Sequence, residues 1–315
     1  MSTILVPLDG SPLAEQALPH ACRLALITGS RLLLVRAAVP VVDPDARITS
    51  RSSVQHAEAY LNAVRDRLQT DGFTVEVASL FSNAVPAILR AAKMHEVSTI
   101  VMSTHGRTGL RRMVLGSVTE QVVQESQVPV LIVNGESPRV EIGDRYRRIL
   151  VPLDGSSFAE AAVESLKNLG VGEGAEIVLL HSVQPPSPMP LNQREEQDLA
   201  LRQKDARDYL GRVAAIAPDG HMYRLLTPIE DPATAILESV GTQELDLIVI
   251  AAHARRGRVR FSPTSVAGQV LRDTGTPVLI VRGVDEVEPL PETALPEVEQ
   301  SECEEDNYFD EFLFV

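Results

Sequence analysis

The chain has 315 residues, 44% hydrophobic and 23% charged, which allows two soluble globular domains of about 130–150 residues each. No apolar run approaches the roughly 18 residues of a membrane span, and no secretory signal opens the chain, so we expect a cytoplasmic protein without a membrane partner. The net charge of −14 belongs mainly to 283–315, which holds twelve acidic residues and no lysine or arginine; the rest carries −2. This acidic tail is predicted to be disordered, and nucleic acid is not expected as a partner.

The first half of the chain predicts five strands that alternate with four helices. Short runs of branched apolar residues predict strands at 4–8, 32–37, 73–80, 97–102 and 130–133. Apolar residues at helical spacing predict helices at 14–25, 51–70 and 85–94, and a fourth from about 118. Strands that are apolar on both faces and separated by helices are typical of a parallel sheet covered by helices on both sides.

The second half repeats the first. TILVPLDGS at 3–11 returns as RILVPLDGS at 148–156, and PVLIV at 129–133 returns at 277–281. The predicted strands are 149–153, 177–181, 222–226, 247–250 and 278–281, with helices from about 157, 195, 233 and 265. We therefore predict a duplicated domain, at 1–134 and 148–282, with a linker at 135–147 and the acidic tail at 283–315.

A ligand site is expected where the first and fourth strands of a copy end. Doubly wound sheets bind ligands beyond the carboxyl ends of their strands, where the winding reverses. Pro7 and Asp9 follow the first strand there, and the Asp9 carboxylate can accept hydrogen bonds from ribose hydroxyls. The loop after the fourth strand has three glycines that let the main chain approach an anion: Gly106, Gly109 and Gly116. Ser117 then opens a helix, whose free N–H groups favour negative charge.

These residues resemble the ATP-binding loop of the universal stress protein family. Asp9 is followed by Ser103-x-x-Gly106, nine residues and Gly116-Ser117, where the family pattern is G-x-x-G, nine residues, then G-S or G-T. The resemblance covers 3–133 and again 148–281. It implies two tandem doubly wound, parallel five-stranded sheets with the strand order 3-2-1-4-5. It also implies that the ligand is ATP, bound with or without Mg²⁺.

The resemblance also implies roles for individual residues of the first copy. Asp9 would bind the ribose, and the main chain at Ala37 would bind the adenine edge. The other residues implied in this site lie near the base and sugar or take the phosphates: Pro7, Met102, Ser103, Gly106, Arg107, Gly109, Gly116, Ser117 and Val118. Ser103 departs from the family pattern, which has glycine there.

The second copy departs further from the pattern. Ala254 stands in the place of Gly106, Thr264 in that of Gly116, and Pro263 lacks a main-chain donor. A β-carbon blocks close approach and disfavours positive φ, with strain on the order of 1 kcal/mol per position. We therefore expect the second copy to bind ATP weakly or not at all. The retained Asp154 can equally be kept by the turn that follows its strand.

No set of catalytic or metal-ligating residues is recognisable in the chain. The P-loop pattern G-x-x-x-x-G-K-[ST] is absent, so we expect a protein that is not an enzyme, with at most slow, incidental ATP hydrolysis. Two cysteines, Cys22 and Cys303, make neither a zinc site nor an expected disulfide. His105 and His253 lack a nucleophile and an orienting partner, which favours a loop-stabilising role. The arginine-rich run 255–260 could bind an acidic ligand or form a solvated loop.

Two functions remain open from the sequence. The first is a nucleotide-dependent regulator or sensor of stress, which binds ATP in its first domain. The alternative is a scaffold that binds no nucleotide and holds an unknown protein partner through its sheet edges and acidic tail. An enzyme that adenylates a substrate lacks sequence support.

The assembly is expected to involve the fifth strand of each copy. Apolar strands at 130–133 and 278–281 would leave exposed edges in isolated domains. Family members that resemble one copy pair these edges between subunits. We therefore expect the two copies to pair within this chain as a pseudo-dimer, with a further homodimer left open.

Overall fold

The computed structural model describes 2–38, 50–104, 116–135, 137, 145–169, 171, 174–185, 191–218, 220–252, 254–255, 258–259 and 264–282. Residues 1–285 form one compact unit, and the second unit, 286–315, lies outside the described residues. The predictions for the glycine loop at 105–115, for Pro263 and for the acidic tail therefore also fall outside them.

Strands and helices alternate in the first half as the sequence predicts. Strands β1–β5 are Thr3–Pro7, Arg31–Ala37, Val75–Leu80, Val97–Thr104 and Val130–Asn134. A 3₁₀ turn at Ala14–Gln16 precedes helix α1, and helices α1–α4 are Ala17–Thr28, Ser50–Thr70, Ala84–Met94 and Ser117–Glu125. The third strand begins two residues later than predicted, because Phe73 still closes α2 by donating its N–H to the Leu68 carbonyl, across Gly72 at φ +91°.

The second half repeats the pattern and adds a small hairpin. Strands β6–β9 are Arg148–Pro152, Glu176–Leu180, Met222–Leu226 and Leu247–Ala252, and β12 is Val278–Arg282. Helices α5–α8 are Ser157–Asn168, Gln193–Ile216, Pro232–Gln243 and Val266–Asp273. Strands β10, Ala254–Arg255, and β11, Arg258–Val259, pair antiparallel within the arginine-rich run. Two residues per strand are too few to produce an alternating sequence pattern, so this hairpin could not be predicted.

The sheet has ten strands in the order β3-β2-β1-β4-β5-β12-β9-β6-β7-β8. Each half therefore has the predicted order 3-2-1-4-5 with parallel neighbours. Strands β5 and β12 join the halves antiparallel, with Leu131 opposite Leu279. The expected pairing of the fifth strands within the chain is thus observed, and β3 and β8 form the outer edges.

Two apolar layers, one on each face of the sheet, form the core. Leu131 and Leu279 belong to one layer, whereas their neighbours Ile132 and Ile280 belong to the other, because successive residues of a strand point to opposite faces. Both layers run across the joint between the halves. Tyr146, which the sequence places in the linker, is buried in the first layer with the Arg23 guanidinium 4.6 Å from its ring centre. Among the described helices, none combines the length and the apolar character required to cross a bilayer.

Candidate functional site

A cavity of about 360 Å³ lies at the carboxyl edge of the first half, where β1 and β4 are neighbours. Eight of the residues predicted for the site line it: Pro7, Asp9, Ala37, Met102, Ser103, Gly116, Ser117 and Val118. The remaining three, Gly106, Arg107 and Gly109, fall outside the described residues. Residues from β1, β2, β4 and α4 that are up to 111 positions apart are thus brought together around one cavity.

Asp9 occupies the tight turn after β1. Its carboxylate accepts a hydrogen bond of 2.8 Å from the Ser11 amide, and Gly10 between them has φ +94°, which glycine adopts without strain. Partial burial alone would raise the pKa of Asp9, but the hydrogen bonds from Ser11 and the charge of Arg36 outweigh burial and place the pKa below its usual value. Asp9 is therefore a carboxylate at neutral pH, ready to accept hydrogen bonds.

Arg36 is a cavity residue that the sequence analysis did not identify. It lies near the end of β2, with its guanidinium carbon 4.8 Å from the centre of the Tyr60 ring. A β-carbon at Gly10 would approach both terminal guanidinium nitrogens to 3.1 Å, so the glycine also makes room for this side chain. A charged residue inside the otherwise apolar run 32–37 is the signal that could have drawn attention to it.

A hydrogen-bonded network behind Arg36 fixes the position of Tyr60. The Tyr60 hydroxyl donates to a Glu15 carboxylate oxygen at 3.0 Å, and Arg67 donates to the other oxygen at 2.8 Å. Burial and this bond to Glu15 raise the pKa of Tyr60, which remains protonated. The network connects α2 to the 3₁₀ turn that follows Asp9, and it thereby fixes the Tyr60 ring against which Arg36 packs.

Helix α4 begins at the cavity without a capping side chain. Its N-cap is Gly116, with φ −52° and ψ 139°, and the Gly116 amide donates a long hydrogen bond of 3.5 Å to the Thr104 hydroxyl. No described side chain accepts a hydrogen bond from the amides of 117–119 that follow it. The first-turn amides and the helix dipole therefore favour an anion at this end. The strain expected from a β-carbon at this position does not apply, because the φ of Gly116 is negative and open to any residue.

The second half has the larger cavity, about 640 Å³, at the corresponding edge. Asp154 lines it, and one of its oxygens accepts hydrogen bonds from the Ser156 amide at 3.0 Å and from the Ser156 hydroxyl at 2.5 Å. His181 takes the place of Arg36, with its ring edge-on to Tyr209 at 5.7 Å between ring centres. The second half therefore does not lack the space for a ligand.

Helix α8 differs from α4 at its start. Ser265 is its N-cap, and the Ser265 hydroxyl accepts a hydrogen bond of 3.1 Å from the Gly268 amide. An amide that would be open to an anion in α4 is therefore occupied in α8. Thr264, which replaces Gly116, is exposed beside this cap. Sequence comparison finds serine at both starts, Ser117 and Ser265, and does not reveal which of them caps.

The charge of the two cavities also differs. Burial lowers the pKa of His181, and the charge of Asp154 and a hydrogen bond with the Leu153 backbone offset this only in part. His181 is therefore neutral at pH 7, whereas Arg36 carries a positive charge throughout the physiological range. The first cavity combines a cation, a carboxylate and an uncapped helix start, whereas the described lining of the second cavity has only the carboxylate.

The universal stress protein family model matches the chain twice, over residues 1–134 and 145–282. The chain belongs to the universal stress protein family. The two matches confirm the resemblance of both copies and a tandem arrangement within one chain. The family fold, with its parallel-dominated sheet, is likewise confirmed.

Several known universal stress proteins are similar to this chain. A relative from Mycolicibacterium smegmatis is 26% identical over 294 residues, which cover 89% of this chain and 96% of the relative. A crystal structure from Archaeoglobus fulgidus has a TM-score of 0.65 at 20% identity and covers 89% of this chain and 98% of that one, which shows the same fold. A further solved universal stress protein, in complex with cAMP, is 24% identical, covers 42% of this chain and 96% of that one, and has a TM-score of 0.34.

Proposed function

We propose that this universal stress protein binds ATP, with or without Mg²⁺, in the first-half cavity and acts as a nucleotide-dependent regulator or sensor in a stress response. The observation that carries the proposal is the arrangement of Asp9 and the uncapped start of α4 around one cavity. A carboxylate suits ribose hydroxyls, and an uncapped helix start suits phosphates.

The described lining fits such a ligand in size and charge. About 360 Å³ lies within the range of small-molecule sites, and its apolar walls include Val35, Ile88 and Met102, which suit a base. Arg36 supplies a fixed positive charge beside Asp9, so a polyanion is attracted to the cavity although the chain as a whole is acidic. The loop residues Gly106, Arg107 and Gly109 would complete the phosphate site.

A regulator fits this lining better than an enzyme does. Among the described residues that line the first cavity, the ionisable ones are Asp9 and Arg36. Asp9 is engaged by Ser11, and its low pKa makes it a weak general base. We therefore expect ATP turnover well below about 1 per second, the lower end of the usual enzyme range. We further propose that the protein acts in the cytoplasm through a protein partner.

The scaffold alternative would have to use other surfaces than the fifth strands. Strands β5 and β12 cover each other, so the edges open to a partner are β3 and β8. A chain that proves unable to bind any adenine nucleotide would favour this alternative. A homodimer would be built on those same outer edges or on helix surfaces.

The matched carboxylates Asp9 and Asp154 provide a direct test. We expect Asp9→Ala to weaken ATP binding at least ten-fold in calorimetry, because the ribose hydroxyls lose their acceptor, about 1.4 kcal/mol or more. Asp154→Ala should change the affinity less than two-fold. Mass spectrometry of the freshly purified protein should detect a bound adenine nucleotide. Equal losses in the two variants would refute binding in the first half alone.

A further inference from the structure

The second-half cavity has no ligand in the function proposed above, yet it is the larger of the two. Its volume of about 640 Å³ compares with about 360 Å³ in the first half. Both lie at the carboxyl edges of corresponding strands, so they are related by the duplication. A cavity of this size accommodates a ligand as large as a nucleoside.

The lining of the second cavity is less polar than that of the first. Ser103 and Thr119 of the first cavity correspond in the repeat to Ala251 and Ala267 of the second. The aromatic ring of Phe158 takes the place of a leucine side chain. At these positions the larger cavity has apolar surface where the smaller one has a hydroxyl or an aliphatic side chain, whereas Ser182 adds a hydroxyl where the first cavity has Ala37.

The described part of the lining contains a single charged side chain. Among the described residues around the second cavity, Asp154 is the one that is charged near pH 7, since burial keeps His181 neutral. Among the described lining residues, a ligand phosphate would meet this carboxylate and no compensating cation. Ligand hydroxyls, in contrast, would find an acceptor in the Asp154 oxygen that Ser156 does not engage.

The start of α8 removes the other source of anion binding. The Ser265 hydroxyl accepts a hydrogen bond from the Gly268 amide and so occupies a donor of the first turn. Releasing that donor to a phosphate would break the cap. The corresponding turn in α4 has no side-chain cap among the described residues.

We propose that the second-half cavity binds an uncharged ligand of nucleoside size, with hydroxyl groups and an apolar body, and excludes nucleoside phosphates. The hydroxyls donate to Asp154, and the apolar body packs between Phe158, Ile236 and Ile250. The two copies therefore sort ligands by charge, the first taking the phosphorylated ligand and the second the uncharged one. The second site does not depend on whether the first binds ATP.

The test uses adenosine and ATP, which differ in charge but share a body and a diol. Ile88 of α3 and Ile236 of α7 are corresponding lining residues, so Ile88→Trp fills the first cavity and Ile236→Trp fills the second. In calorimetry on the full chain, Ile88→Trp should still bind adenosine, with ATP at least ten-fold weaker than adenosine. Ile236→Trp should weaken adenosine binding to the second cavity at least ten-fold, while ATP still binds to the first cavity.

Two results would overturn charge sorting. One is a folded Ile88→Trp chain, with an unchanged circular dichroism spectrum, that binds ATP as tightly as adenosine; the other is the same chain binding no adenosine. If Ile236→Trp does not fold, Ala267→Leu adds bulk at a less buried lining position and should give the same loss. If the unsubstituted chain does not bind ATP, that result would instead count against the function proposed for the first half.

Discussion

Arg36 and His181 occupy corresponding places at the ends of β2 and β7, each against a tyrosine of the long helix that follows. The Arg36 guanidinium lies 4.8 Å from the centre of the Tyr60 ring, and the His181 and Tyr209 ring centres are 5.7 Å apart. The aromatic partner is the same in both halves, so the exchange changes charge and leaves the framework in place. One substitution thus changes the charge that a cavity presents to a ligand.

The contacts of these residue pairs could not be predicted from the sequence, although other residues of the site could. Asp9 and Gly116 could be identified from the sequence because they stand at strand and helix ends within a repeated pattern. The contact of Arg36 with Tyr60 joins β2 to α2, and neither residue stands in the glycine loop that pointed to the site. Arg36 is positioned by the packing of α2 against the end of β2. The spacing of apolar residues along the sequence does not predict this packing.

Buried His20 predicts a pH dependence of stability. It is 3% exposed in α1, its Nδ1 has no hydrogen-bond partner among the described residues, and burial, with a smaller effect of Arg23, lowers its pKa to about 4. The unfolded imidazole, with a pKa near 6.5, binds a proton more readily, so stability falls as the pH drops from 6.5 towards 4. Between pH 7 and pH 5 we expect a loss of about 2 kcal/mol from this group.

Urea unfolding at the two pH values measures this loss. His20→Leu should lose about 2 kcal/mol less between pH 7 and pH 5 than the unsubstituted chain. The control is His56→Leu, because His56 is exposed on α2. An identical pH dependence with and without the His20 side chain would show that other groups are responsible.

At the element scale, the sequence predicts order and type well and helix starts poorly. Apolar periodicity and the repeat predicted all ten strands of the sheet, since runs of branched residues must be buried. The starts of α4 and α8 differ at the N-cap side chain: Gly116 has none, whereas the Ser265 hydroxyl accepts a hydrogen bond from the Gly268 amide. The N-cap carbonyl is used alike in both, since it accepts from the Glu120 amide in α4 and from the Gln269 amide in α8. Gly-Ser and Thr-Ser do not differ enough in cap preference to predict the difference.

The different helix starts predict different costs for the same substitution. Ser265→Ala should destabilise the protein by about 1 kcal/mol, since the Gly268 amide loses its acceptor. Ser117→Ala should cost less than about 0.5 kcal/mol, because Ser117 lies inside the first turn of α4 and Gly116 is the N-cap. Urea midpoints of the two variants provide the comparison. Equal losses of about 1 kcal/mol from the two variants would mean that both helices are capped alike.

At the scale of the whole molecule, the duplication produces one sheet with shared apolar layers. The repeat reveals two copies, and the apolar fifth strands suggest where they join. Whether the copies unfold separately depends on how much core crosses the joint, and the sequence does not give this quantity. Leu131 and Leu279 are each 1% exposed and belong to the same layer, and Tyr146 is buried in that layer beside Arg23 of α1.

The continuous core predicts a single cooperative thermal transition for residues 1–285. Leu131→Ala and Leu279→Ala should each cost about 2–5 kcal/mol and move the whole transition to lower temperature, because each removes packing that both halves share. As opposite residues in the β5–β12 ladder, they should also couple, with the double variant departing from additivity by about 0.5 kcal/mol or more. Differential scanning calorimetry tests both points. Two separate transitions, with only one moved by each substitution, would show that the copies fold as independent domains and that β5 and β12 merely adjoin.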